Sequence, residues 1–120
     1  MDIATAVDQV VVASGGQITV ATSVTLTIND GTGSDLDVSG TVDVVGTLTV
    51  AASADVALGS GSVLQDSGTV NGGGTILGLS GTIQANVAAR TIANSIALST
   101  GLTVSGTDNL TLTGALTDGG

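Results

Sequence analysis

Residues 39–50 read Ser-Gly-Thr-Val-Asp-Val-Val-Gly-Thr-Leu-Thr-Val, and this stretch decides the fold class. It contains two short segments of alternating aliphatic and polar residues, Val42–Val44 and Leu48–Val50, each preceded by Gly-Thr. Alternation with a period of two places the aliphatic side chains on one face of a strand. Glycine permits the backbone angles of a tight corner. The stretch therefore predicts two short strands separated by a corner.

The same pattern recurs along the chain, without a constant spacing. Ser-Gly-Thr returns at residues 67–69, 80–82 and 105–107, and the segment Ile18–Val24 is echoed by Leu48–Ala54. Further alternating segments are Ile18–Val20, Val24–Ile28, Leu36–Val38, Val56–Leu58, Ile96–Leu98, Leu102–Val104 and Leu110–Leu112. Irregular spacing argues against a strict hexapeptide helix and favours a parallel β-helix whose turns differ in length at their corners.

The composition agrees with an all-β solenoid. The 120 residues contain no Phe, Tyr, Trp, Cys, Pro or His, so a core has only small and medium aliphatic side chains available. Lys and Arg total one residue, so surface helix formers are almost absent. Residues 86–97 could form a helical apolar stripe, but we interpret them as strand plus corner. We predict one domain over residues 1–120, a right-handed β-helix of roughly six coils of about 20 residues, near 30 Å long.

The charge balance excludes several classes of partner. The formal net charge is -9, and Arg90 is the single cation. Phosphate binding needs clustered Lys or Arg, and stacking on single strands needs aromatic rings, so we predict no nucleic-acid partner. No stretch approaches the roughly 20 apolar residues of a spanning helix, so we predict no membrane insertion.

Residues 81–119 resemble the β-strand repeats of autotransporter passenger domains and related bacterial adhesins. The resemblance is carried by Arg90-Thr-Ile-Ala-Asn94 and by the Leu-Thr-Val-Ser-Gly-Thr that follows at residues 102–107. It implies a bacterial cell-surface or extracellular protein that serves as a shaft or adhesive surface for a host or matrix ligand. Residues 1–15 lack the basic start of a signal peptide, so an exported chain would be a processed product, a fragment, or use another route.

One acidic segment is a calcium candidate. Residues 30–37 read Asp-Gly-Thr-Gly-Ser-Asp-Leu-Asp, similar to one turn of a calcium-binding glycine-rich nonapeptide. The candidate ligands are Asp30, Asp35 and Asp37. The segment is a single copy, and Asp37 stands where that motif has an aliphatic residue. We therefore favour an acidic corner without a metal and predict no cofactor.

Thr-x-Thr pairs suggest a second binding hypothesis. They occur at Thr25 and Thr27, at Thr47 and Thr49, and at Thr111 and Thr113. Ice-binding solenoids present flat threonine arrays, which require matching positions in successive turns. The unequal spacing of the three pairs does not predict such matching, and threonine is a good outward-facing strand residue in any case.

Residues for catalysis are scarce. Carbohydrate-cleaving β-helices use clustered carboxylates or calcium with a basic residue, and here the candidates for a pair are Asp35 and Asp37. His and Lys are absent, and we expect Arg90 to pair with a surface aspartate. The sequence therefore predicts no enzyme and no catalytic residue.

The ends of the predicted solenoid suggest self-assembly. Residues 1–12 and 110–120 both read as strand, so we expect no capping helix at either end. Exposed strand edges can template another chain, and head-to-tail contacts between copies generate an open filament. We expect a non-enzymatic subunit of a surface or matrix fibre. The alternative is a shaft segment of a larger autotransporter-type adhesin, and an ice-binding solenoid ranks below both.

Overall fold

The computed structural model describes residues 3–118, of which about 59% lie in strands. No helix occurs in this range, which confirms the all-β prediction, including the strand-plus-corner interpretation of residues 86–97. The strands are β1 (Thr5–Val7), β2 (Val10–Val12), β3 (Gln17–Val20), β4 (Thr25–Ile28), β5 (Leu36–Val38), β6 (Thr41–Val44), β7 (Thr47–Val50), β8 (Asp55–Leu58), β9 (Val63–Asp66), β10 (Thr69–Asn71), β11 (Thr75–Ala85), β12 (Arg90–Ile92), β13 (Ser95–Gly106), β14 (Leu110–Leu112) and β15 (Leu116–Asp118).

The strands stack into three faces of one solenoid, and the strands within each face are parallel. Face A contains β1, β4, β7 and β10, followed by the pair β12 and β14. Face B contains β2, β5, β8, the first halves of β11 and β13, and β15. Face C contains β3, β6, β9 and the second halves of β11 and β13. The parallel β-solenoid prediction is therefore confirmed, in a single compact domain.

The turns differ in length, as the irregular repeat spacing predicts. On face B the stacked positions are Val10, Leu36, Val56, Ile76, Ile96 and Leu116. The first step therefore spans 26 residues and each later step spans 20. The described residues make about five turns, slightly fewer than the roughly six expected, because some turns exceed 20 residues. The domain measures 36 × 34 × 28 Å.

The core consists of columns of aliphatic side chains, one from each turn. Alternation along each strand points every second residue inward, as in β4 and β7, where Leu26, Ile28, Leu48 and Val50 are buried. Leu36, Val56 and Ile76 are also fully buried in the face B column. Each layer stacks a medium-sized side chain on its equivalent, which is why a core without aromatic rings can close.

Four corners are four-residue turns closed by a backbone hydrogen bond. In the corner at residues 21–24, the Val24 N–H donates to the Ala21 carbonyl at 3.0 Å, and Ala54 bonds to Ala51 in the same way. The third residue of each turn has a positive φ, 67° at Ser23 and 70° at Ser53. The echoed segments at 18–24 and 48–54 are thus the same local unit, a strand followed by this turn.

The glycine of each Gly-Thr-aliphatic motif lies at a corner that nests against the previous turn. A Cβ added at Gly68 would lie 2.1 Å from the Gly46 carbonyl oxygen, and one at Gly46 would lie 2.2 Å from the Ala21 carbonyl oxygen. Gly40, Gly74 and Gly81 are equally confined. In this motif the glycine lies at the corner, the threonine is the first residue of the next strand, and the aliphatic side chain points inward.

The same motif serves different corners, which explains its uneven spacing. Ser-Gly-Thr at 39–41 and 80–82 lies between faces B and C, whereas the copies at 67–69 and 105–107 lie between faces C and A. The turn at 21–24 joins face C to face A, and the turn at 51–54 joins face A to face B. Motif spacing therefore does not equal the length of a solenoid turn.

Candidate functional site

The acidic segment lies in the longest corner of the solenoid, between β4 and β5. Asp35 is only 1% exposed there, so its environment decides whether it is available as a ligand. Its Oδ1 accepts the Gly31 N–H at 2.7 Å, and its Oδ2 accepts the Asp55 N–H at 2.9 Å. The Asp35 N–H in turn donates to Oδ1 of Asp55 at 3.1 Å. Asp35 therefore acts as an acceptor that ties this corner to the next turn.

The other two calcium candidates are exposed, unlike Asp35. Asp37 is exposed on β5, between Val11 and Ala57 of the neighbouring strands, and Asp30 is exposed in the corner. Across residues 3–118, no group of three or more metal-ligating side chains comes together. The structure thus does not assemble Asp30, Asp35 and Asp37 into one coordination sphere.

The Arg90 side chain donates to backbone carbonyl groups at a corner, rather than pairing with a surface aspartate as expected. Its Nη1 donates to the Gly68 carbonyl at 2.9 Å, and its Nη2 donates to the Ser67 carbonyl at 2.6 Å. The expectation was wrong because the side chain starts on β12, one turn above this corner, and reaches back over it. Arg90 therefore links two turns of the solenoid.

Asp66 lies fully buried at the same corner. Its Oδ1 accepts the Gly68 N–H at 3.2 Å, while its Oδ2 and the Nε of Arg90 have no hydrogen-bond partner in the protein. Burial raises the pKa of Asp66 from 3.8 to about 6, and the Gly68 N–H and the Arg90 charge oppose this shift only in part. Sequence reasoning missed this residue, although the period-two pattern places Asp66 on the same side of β9 as buried Leu64.

A row of polar side chains runs along face C on the outside of the solenoid. Gln65 Nε2 donates to Asp43 Oδ1 at 3.2 Å, Gln84 Nε2 donates to Gln65 Oε1 at 2.8 Å, and Ser105 Oγ donates to Gln84 Oε1 at 3.1 Å. These residues occupy one register position on four successive strands. We call them the polar ladder, and it joins four turns without any charge pair.

Buried Asn94 links two turns at the corner between faces A and B. Its Nδ2 lies 3.1 Å from the Asn71 carbonyl oxygen and 3.2 Å from those of Gly72 and Gly74. Asn71 and Asn86 also bond to an adjacent turn, through Thr49 and Thr107. These corner asparagines therefore connect neighbouring turns along the solenoid axis.

Two of the Thr-x-Thr pairs are direct neighbours on face A. Thr25 pairs in register with Thr47, and Thr27 pairs with Thr49. Thr69 and Asn71 extend the two rows onto β10, where the Asn71 Oδ1 accepts a hydrogen bond from Thr49 at 2.8 Å. The unequal spacing in the sequence did not predict this register, which the structure provides for these two pairs. The threonine array is defined as Thr25, Thr27, Thr47, Thr49 and Thr69.

The third pair lies at the far end of the same face, and Thr111 there is in register with Thr91. At the opposite end, Ala6 continues one row beside Thr27. A shallow depression of about 260 Å³ lies here, lined by Ala4, Thr5, Ala6, Thr25 and Thr27. No titratable side chain lines it, so it offers shape and hydroxyl groups rather than acid–base chemistry.

Both ends of the solenoid present strand edges and apolar core positions. β1, β2 and β3 each have a single paired strand, as do β14 and β15 at the other end. Leu116, in the same column as buried Ile96, is 63% exposed, and Val104, beside buried Ile83, is 52% exposed. Val7, Val10 and Ile18 are partly buried at the opposite end. We call these surfaces the end layers.

Neither a family model, nor a curated protein, nor a solved structure matches the chain. Residues 3–118 contain no helix with the length and apolar character needed to cross a membrane.

Proposed function

We propose that this chain is a non-enzymatic structural protein whose end layers pair with strands of a second copy, so that subunits stack head to tail into a fibre. The observation that carries this proposal is the exposure of inward-facing core residues beside unpaired strand edges. Unpaired edges attract further strands, and exposed apolar layers are stabilised by burial.

The geometry favours a head-to-tail contact over a symmetric one. Every strand pairing among residues 3–118 is parallel. A second copy displaced along the solenoid axis would therefore continue the sheets of all three faces. A symmetric contact between two identical ends would instead reverse the strand direction. Repeating the same unlike contact gives an open filament. The net charge of -9 supports solubility and keeps neighbouring fibres apart.

Electron microscopy and sedimentation velocity of the purified chain over a wide concentration range test this proposal. We expect rods whose length grows with concentration. The double variant Val104→Lys with Leu116→Lys places charges in one end layer and should abolish growth. Because both side chains are more than half exposed, its circular dichroism should still match that of the unaltered chain.

The matched control is Val45→Lys with Val87→Lys. Both residues are exposed valines at corners rather than in the end layers, so rods should persist. If the unaltered chain remains a discrete monomer at high concentration, the fibre proposal is wrong. The shaft alternative would then be preferred, in which further turns of a longer adhesin-type chain occupy the end layers. Both forms agree with the bacterial surface location that the resemblance of residues 81–119 to autotransporter repeats implies.

The register of the threonine array favours ice binding as a second candidate function. Three consecutive strands carry threonine in one row, and two carry it in the adjacent row. Neighbouring strands lie about 4.8 Å apart and alternate residues about 6.7 Å apart, so the hydroxyl groups form a small two-dimensional lattice. Such a lattice can hold ordered water in a repeating pattern.

Thermal hysteresis and inhibition of ice recrystallisation test this second candidate. The double variant Thr27→Tyr with Thr49→Tyr disrupts the array at its centre and should remove both activities. Thr103→Tyr, an exposed position on face C, is the control and should retain them. Absence of both activities in the unaltered chain would exclude ice binding.

A further inference from the structure

The corner at residues 66–68 carries a buried acid that the equivalent corner one turn earlier lacks. Val44 pairs in register with Asp66, so the inward position that holds an aliphatic side chain in one turn holds a carboxyl in the next. The second residue of each corner bonds in the same way: Val45 N–H donates to the Val20 carbonyl at 2.9 Å, and Ser67 N–H donates to the Val44 carbonyl at 2.9 Å. The glycines differ, because Gly46 N–H also donates to the Val20 carbonyl, whereas Gly68 N–H donates to Oδ1 of Asp66.

Arg90 reaches this corner from the following turn. Its two Nη atoms donate to the Ser67 and Gly68 carbonyl oxygens, so the guanidinium lies against the corner that contains Asp66. The Nε of Arg90 and the Oδ2 of Asp66 are both buried without a partner. A buried acid and a partly buried guanidinium therefore meet at one joint, and neither is fully satisfied by hydrogen bonds.

We propose that Asp66 and Arg90 form a pH-responsive joint between the corner at residues 66–68 and the following turn, closed most firmly when Oδ2 of Asp66 carries a proton and loosened when that proton is lost. Loss of the proton leaves a buried negative charge on an oxygen without a hydrogen-bond donor. Opening the corner admits water to this oxygen. The proton passes directly to solvent, and no covalent bond to the protein changes.

Few other charged groups act on this joint. Val44 on β6 and Ala85 on β11 are the register partners of Asp66, and neither titrates. Asp43 lies on the outer side of β6, where its carboxylate accepts from Gln65. Asp108, one turn beyond Arg90, accepts from the Thr107 hydroxyl at 3.0 Å. Arg90 is the charged side chain whose field acts on Asp66.

The direction of the effect follows from the raised pKa of Asp66. Stabilisation by this group is fully present below the unfolded-state pKa of 3.8 and is lost as the pH rises through about 6. The joint is therefore firmer in mild acid than at neutral pH. A pKa difference of about two units between closed and open forms corresponds to a change on the order of 100-fold in the closing equilibrium.

Hydrogen exchange measured at pH 4.5 and 7.5, corrected for intrinsic rates, tests the proposal. At pH 4.5 part of this effect is already lost, so we expect protection of the Gly68 and Asn86 amides, which bond to Asp66 itself, to fall by up to about 25-fold at the higher pH. The Gly46 amide at the equivalent corner serves as the internal reference and should change far less.

Variants separate this joint from the general charge of the molecule. Asp66→Asn should remove the pH-dependent part of the change, whereas Asp37→Asn removes the same charge at an exposed site and should leave it intact. Arg90→Met takes away the favourable positive charge and should shift the loosening to higher pH. An unaltered pH dependence in Asp66→Asn, or none in the unaltered chain, would overturn the proposal.

Discussion

At the scale of single residues, the solenoid depends on side chains and glycines that connect one turn to the next. Asp35 accepts backbone N–H groups from its own corner and from Asp55, and Arg90 donates to two carbonyls of an earlier turn. Gly68 contributes through the side chain that it lacks, because the absence of a Cβ lets two turns approach closely.

Replacing Gly68 with alanine should destabilise the domain by roughly 3 kcal/mol, because the new methyl group would overlap the Gly46 carbonyl oxygen. Urea unfolding monitored by circular dichroism measures this change. The control is Gly73→Ala, whose Cβ would lie 3.5 Å from its nearest neighbour and should change the free energy of unfolding by less than about 0.5 kcal/mol. Equal effects of the two substitutions would contradict the nested corner.

Replacing Asp35 with alanine should destabilise the domain by about 3 kcal/mol, since the Gly31 and Asp55 N–H groups lose their acceptor. Asp37→Ala removes an exposed carboxylate and should have an effect below about 0.5 kcal/mol. Thermal unfolding with and without a chelator completes the test. A loss of stability in chelator would indicate that calcium, rather than backbone hydrogen bonding, is the role of this segment.

At the scale of strands, two outer surfaces differ in how their side chains interact. The polar ladder on face C joins β6, β9, β11 and β13 by hydrogen bonds between side chains. The threonine array on face A has one such bond, between Thr49 and Asn71. The ladder therefore stabilises the stacking of turns, whereas the array leaves most of its hydroxyl groups available to solvent.

A double-mutant cycle of Gln65→Ala and Gln84→Ala should show a coupling energy of about 0.5–1 kcal/mol, because the two amides share a hydrogen bond at 2.8 Å. The free energy of unfolding in urea is measured for both single variants and the double variant. Gln84→Ala combined with Asp37→Ala, on a different face, should be additive. Additivity in the first cycle would show that the ladder contributes nothing beyond its separate residues.

At the scale of the whole molecule, stability depends on contacts between neighbouring turns. Inward-facing residues of the middle turns are fully buried, whereas Val104 and Leu116 in the last turn are 52% and 63% exposed. A solenoid whose turns contact only their neighbours is expected to open from its ends.

Hydrogen exchange in dilute solution should therefore show the greatest protection in β4 to β9 and the least in β14 and β15. Under conditions that produce rods, protection at β14 and β15 should increase, because a second copy would cover these strands. Uniform protection along the dilute chain would contradict opening from the ends. Unchanged protection in the rods would indicate a lateral rather than an end-to-end contact.

The local features of this protein follow directly from its amino-acid sequence. Alternation with a period of two placed Leu48 and Val50 inward, and the absence of aromatic residues limited the core to stacked aliphatic side chains. Glycine before threonine marked the corners. These features were predictable because they depend on backbone sterics and on side-chain direction within a few residues.

Which residues of different turns become neighbours is visible in the folded protein but not in the sequence. Turn lengths of 20 to 26 residues on face B are set by corners, and similar motifs serve different corners. The register of Thr25 with Thr47, and the meeting of Asp66 with Arg90, depend on the sum of these lengths. A local sequence pattern does not specify the total length of a turn. The strands could therefore be predicted from the sequence, whereas the register between strands of neighbouring turns could not.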